Sequence, residues 1–158
     1  LDALRRVATG YQPGDTDFAW TRLTLWRAQL AAALDQPPFE PITRVEVAGA
    51  ADSPSTVLLA AWLSTRLQVP VEVSVSGEHE STGIHRVVLH RESGPITLDR
   101  SEPNVATLTQ PGQPVHEIAL PRRPLRECLA EELRRLDPDD AFGDVILSGF
   151  GALGTPAR

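Results

Sequence analysis

Apolar residues Ala19, Leu23, Trp26, Leu30 and Leu34 recur every three or four positions, which predicts an amphipathic helix. Asp15 to Asp17 ahead of it supply capping oxygens and negative charge for its positive end, and Pro37-Pro38 stops it. From Ile42 to Val47 the period shortens to two, the signature of a strand. Gly49 to Asp52 reads as the following turn. Ser53-Pro54 then reads as an N-cap with proline at the first helical position, before a run from Val57 to Leu67 that is apolar apart from Ser64, Thr65 and Arg66. Pro70 ends that helix, and Val71 to Val75 alternates as a second strand. Strand, helix and strand with such short links predict a βαβ unit with a right-handed crossover, whose strands are parallel but need not be neighbours.

After Ser76 the helical period vanishes until Pro124. Ile84 to His90, Pro95 to Asp99, Val105 to Thr109 and Val115 to Leu120 are short β candidates divided by turn-forming clusters, the pattern of a meander. Pro121 to Pro124 then opens a helix in which Leu125, Leu129, Leu133 and Leu136 form one stripe and Glu131 can pair with Arg135. Asp137 to Asp140 ends it and starts a short last helix. The expected architecture is a single α/β domain over 1–150, bordering on α+β, with a mixed parallel and antiparallel sheet flanked by about four helices. Residues 151–158 read as a flexible tail.

At 158 residues this is one domain's worth of chain, and no apolar run approaches the roughly 20 residues that span a bilayer. Net charge −6, from 15 basic and 21 acidic residues, argues against nucleic acid or an anionic membrane as partner. Every basic residue is arginine. Methionine is absent and the chain opens as if inside a helix, so it reads as the C-terminal part of a longer protein. A lone Cys128 without a signal peptide fits a reducing cytoplasm.

Catalytic grammar is thin. Gly149-Phe150-Gly151-Ala152-Leu153-Gly154 matches G-x-G-x-x-G after the strand-like Val145 to Leu147, but too little chain follows for the helix and acidic ribose ligand that the motif needs. His79, His85, His90 and His116 show no metal-binding spacing, and no G-x-S-x-G turn exists. The loop Gly49 to Ser55, between a strand and a helix N-terminus, has the geometry of an anion site, but Asp52 and Pro54 favour plain helix capping. Neither catalytic nor cofactor nor metal residues are therefore assigned. What stands out is tryptophan beside arginine. Trp26 and Trp62 fall on apolar faces, whereas Trp20 falls off the stripe and is expected to be partly exposed, so Trp20, Arg22 and Arg27 are the candidate partner-binding residues.

Five blocks in order, Asp17 to Arg27 (DFAWTRLTLWR), Ala61 to Leu67 (AWLSTRL), Thr109 to Pro114 (TQPGQP), Ala119 to Arg123 (ALPRR) and Ala130 to Asp139 (AEELRRLDPD), resemble the glucose-6-phosphate dehydrogenase assembly protein family, OpcA. The likeness runs over roughly Asp15 to Asp140 and matches the C-terminal part of that family. It implies a non-enzymatic assembly factor or allosteric activator of glucose-6-phosphate dehydrogenase in the oxidative pentose phosphate pathway, acting by protein–protein binding, without cofactor and in an oligomeric state left open. The rival reading is a small-molecule sensor for a sugar phosphate or nucleotide, bound near Gly49 to Ser55 with help from Arg44 or Arg86.

Overall fold

The computed structural model describes residues 2–50, 53–76, 83–151 and 153. Six strands form one mixed sheet: β1 (Arg44–Ala50), β2 (Val71–Ser76), β3 (Ile84–His90), β4 (Ile96–Asp99), β5 (Val105–Thr109) and β6 (His116–Ala119), in the order β2-β1-β3-β4-β5-β6. β1 pairs with β2 in parallel, Val45 opposite Val71 and Val47 opposite Val73, so the βαβ strands are direct neighbours. Every other pairing is antiparallel, and β3 to β6 follow one another as the predicted meander.

Alternation decides the two faces. Val45, Val47, Val87, Leu89, Ile96 and Leu98 are fully buried, whereas the intervening Glu46, Glu72, Arg86 and Asp99 stay in solvent. Arg44 reaches Glu46 at 2.9 Å and Glu72 at 3.4 Å on that outer face, and Arg86 lies 3.8 Å from Asp99.

Among the described residues six α-helices are present, more than the four expected: α1 (Asp2–Ala8), α2 (Phe18–Thr21), α3 (Thr24–Leu34), α4 (Pro54–Leu67), α5 (Leu125–Glu132) and α6 (Asp140–Asp144). The excess has a local cause. The single helix predicted across Ala19 to Leu34 is broken at Arg22-Leu23, where Leu23 N–H bonds the Trp20 carbonyl three residues back at 2.8 Å in a tightened turn. α6 runs directly into a π-helical segment, Val145–Gly149, so Val145 to Leu147 is helical and not a strand. That correction removes the strand context of the glycine motif, whose Ala152 and Gly154 lie outside the described residues.

α4 packs on β1 and β2 with Leu58, Leu59, Ala60, Ala61 and Leu63 buried, and Trp26, Leu30 and Ala33 of α3 join the same core. Truncating one of those leucines to alanine costs about 2–5 kcal/mol in such a setting. Gly149 and Phe150 are buried too, and so is Leu153, which lies within the expected tail.

Candidate functional site

Helix α5 is held to the body by its polar side. Thr21 Oγ1 donates to Glu132 Oε1 at 2.7 Å, and Thr24 Oγ1 donates to Glu131 Oε1 at 2.9 Å. Arg123 pairs with Glu131 and donates to the Thr21 carbonyl at 3.0 Å, while Arg22 Nε donates to the Arg123 carbonyl at 3.3 Å. Of the helix proper only Cys128 is buried. The bonds commit the carboxylate-bearing side of α5 inward.

The leucine stripe is left outside. Leu125 is 53% exposed, Leu129 45%, Leu133 75% and Leu136 93%. The sequence periodicity places these four residues on one stripe, and the structure leaves all four exposed, Leu125 and Leu129 on α5 and Leu133 and Leu136 just beyond it, where large exposed apolar side chains mark an interaction surface. α5 itself ends at Glu132, earlier than the stripe predicts, with Leu133 as its C-cap.

Trp20 is a correction to the sequence reading: it is fully buried, not partly exposed. Its indole N–H donates to Asp139 Oδ2 at 2.8 Å, and its ring lies 5.6 Å from that of Phe142. The Arg27 guanidinium stacks 3.9 Å over the indole, and burial holds its pKa below the ordinary arginine value, partly countered by the Asp139 charge. Arg22 is half-buried and reaches a different place, the rim of a cleft.

That cleft holds about 400 Å³ and opens where β1 gives way to α4. Arg22, Arg100, Arg122 and Arg123 line it together with Asp17, Trp26, Ser53, Ser55 and Gly83. A register shift in β1 places Ala48 opposite Arg86 but Gly49 opposite Ile84, a bulge beside the cleft wall. Gly49 is constrained by closeness: a Cβ there would overlap the Thr56 hydroxyl and lie 3.1 Å from the Gly83 carbonyl. Ser53 occupies the N-cap of α4 with Pro54 at the first helical position, as predicted, although the Ser53 hydroxyl makes no capping hydrogen bond. Arg44 and Arg86, the arginines assigned to this crevice from sequence, are engaged on the outer face of the sheet. Ala51 and Asp52 of the loop lie outside the described residues.

A family model described as the C-terminal domain of the glucose-6-phosphate dehydrogenase subunit matches residues 13–146. The chain belongs to that family. The matched stretch takes in all six strands, the leucine face and the arginine cleft, and leaves out the whole of α1 and the end of the π-helical segment. No curated protein compared with the chain matches it. Membership supports an association with glucose-6-phosphate dehydrogenase, in keeping with the resemblance read from the sequence.

No described helix is long and apolar enough to cross a membrane. Among the described residues no three His, Cys, Asp or Glu side chains gather as a metal site. His90 lies 2.9 Å from Glu46 on the outer face, and His79 lies outside the described residues. Arg100 escaped the sequence reading although a signal for it existed. Ile96, Leu98 and Arg100 share one side of β4 and its extension, and two buried partners in that alternation mark an arginine aimed at the interior.

Proposed function

We propose that this chain is a non-enzymatic partner of glucose-6-phosphate dehydrogenase that promotes its assembly or activates it allosterically, within the cytoplasmic oxidative pentose phosphate pathway. The observation that carries this reading is the exposed leucines of α5 and the turn after it, fixed in place by hydrogen bonds that Glu132 and Glu131 accept from Thr21 of α2 and Thr24 of α3. The dehydrogenase is the occupant that family membership points to. A rigid apolar row on a pre-ordered helix binds with little further loss of conformational freedom, which favours specific docking. Arg22, on the cleft rim close to Leu125, adds a charged contact at the edge of that surface. Trp20 and Arg27 contribute from beneath, by anchoring Asp139 at the far end of the leucine row.

Linkage supplies the mechanism: a protein that binds the active oligomer better than the inactive form shifts the population by its differential affinity. Mixing the purified chain with its cognate dehydrogenase tests this. Light scattering is expected to show a complex, and NADP reduction is expected to rise. Failure to form a complex, or a complex with unchanged oligomer mass and rate, overturns the proposal.

A further inference from the structure

The arginine cleft has no part in the leucine-face reading beyond the rim contact of Arg22, yet it gathers four arginine side chains around one opening. In a chain of net charge −6, four arginines line one opening against a single described carboxylate, Asp17. That carboxylate already accepts the Ala19 N–H at 2.7 Å as the N-cap of α2. Arg123 is matched by Glu131. Arg100 is not matched in this way. It is 6% exposed, and no described carboxylate lies within ion-pair distance of it. Its partners are the Ile84 carbonyl at 2.5 Å and the face of Trp26 at 5.5 Å. Burial lowers its pKa, and the neighbouring Arg122 charge lowers it further. A guanidinium withdrawn from water beside a second one is costly, and an anion between them offsets that cost.

The geometry around Arg100 suits such an anion. α4 spans 14 residues and directs its positive end at the cleft through Ser53, Pro54 and Ser55. Ser55 Oγ is committed to the Ala19 carbonyl at 2.9 Å, whereas the Ser53 hydroxyl makes no cap bond. Gly83 has φ of 99°, and a Cβ built on it would stand 3.7 Å from Arg100 Nη2 and 3.9 Å from Ser53 Oγ. Those are ordinary contact distances, so the positive φ is what favours glycine here, and the residue borders both Arg100 and Ser53. The position, beyond the carboxyl end of β1 and against the following helix, is where open α/β sheets place ligands.

We infer that this cleft binds the phosphate group of a small phosphorylated sugar. Arg100, Arg122 and the N-terminus of α4 hold the phosphate, and Ser53 with the remaining Asp17 oxygen faces the hydroxyls. A cleft of about 400 Å³ has the size for one such molecule. The site stands independently of dehydrogenase binding and is tested on the 158-residue chain alone.

Calorimetric titration with glucose 6-phosphate, glucose and inorganic phosphate provides the test. Glucose 6-phosphate is expected to bind, inorganic phosphate to compete with it, and glucose to give no signal. Because a phosphomonoester loses its second proton near pH 6, affinity is expected to fall about fourfold from about pH 7.5 to about pH 5.5. Arg100→Gln is expected to weaken binding about tenfold or more. Since Arg100 is buried, the exposed Arg122→Gln serves as the second variant, with a severalfold loss of affinity in a chain shown by its cooperative thermal unfolding to be folded. Absence of binding by the parent chain, equal binding of glucose, or undiminished binding by Arg122→Gln overturns the inference, as does preferential binding of an acidic peptide lacking phosphate.

Discussion

Trp20 and Asp139 are joined by an indole N–H to carboxylate hydrogen bond of 2.8 Å that ties α2 to the N-cap of α6 across 119 positions of sequence. The same carboxylate accepts the Phe142 N–H at 3.1 Å and pairs with Arg135 at 2.6 Å. Burial by itself would raise the Asp139 pKa, but the Trp20 and Phe142 hydrogen bonds and the Arg135 and Arg27 charges together hold it below the ordinary aspartate value. The sign follows from that depression. This contribution to stability is present above about pH 4 and is lost as pH falls through the lowered folded-state value. Trp20→Phe keeps an aromatic ring but removes the donor, and is expected to destabilise by about 2–3 kcal/mol in urea unfolding. Asp139→Asn is expected to flatten the acid limb of the stability profile, and an unaltered limb would remove Asp139 from its cause.

The exposed leucines allow a cleaner separation of binding from folding. Leu129→Ser with Leu133→Ser changes two side chains that pack little against the chain itself, so stability is expected to stay within about 0.5–1 kcal/mol of the parent. Affinity for the dehydrogenase, measured by calorimetry, is expected to drop about tenfold or more, the scale for removing apolar anchors. Undiminished affinity would move the docking surface elsewhere.

Thr56 and Gly49 make an opposed pair of tests. The Thr56 hydroxyl is buried without a hydrogen-bond partner, packed against Gly49. Thr56→Val is therefore expected to leave stability unchanged or raise it by about 1 kcal/mol, because the desolvated hydroxyl disappears. Gly49→Ala is expected to lower stability by about 1–3 kcal/mol, since the new methyl group has no room beside Thr56 and the Gly83 carbonyl. Thermal unfolding of both variants decides the matter, and a more stable Gly49→Ala would contradict the packing described.

Much of the fold was legible because local chemistry and tertiary demand agree. Ile84 to His90 and Val105 to Thr109 were bounded correctly from alternation and turn residues, and Pro54 marked the start of α4. The meander order followed from short loops, which leave antiparallel neighbours as the simplest pairing. Facing was harder to read. Periodicity shows that Leu125, Leu129, Leu133 and Leu136 share a side, but only the bonds of Glu131 and Glu132 to Thr24 and Thr21 decide that this side looks outward. Trp20 is hard to place from sequence for a related reason: one tightened turn at Leu23 rotates it away from where an unbroken wheel puts it. The cleft was half legible. Its loop is visible in the sequence, but its arginines come from three separate stretches of chain, and nothing local joins Arg22, Arg100 and the Arg122-Arg123 pair.

The placement of β1 between β2 and β3 has a consequence for how the molecule comes into being. Both neighbours of this strand are made after it, the later one finishing only at His90. During synthesis one edge of Val45 and Val47 can be covered once β2 emerges, but the edge that β3 covers must wait while more than forty further residues emerge, and the nascent chain carries an unfinished sheet through that interval. Ribosome-bound chains stopped short of β3 are then the ones that chaperones would meet.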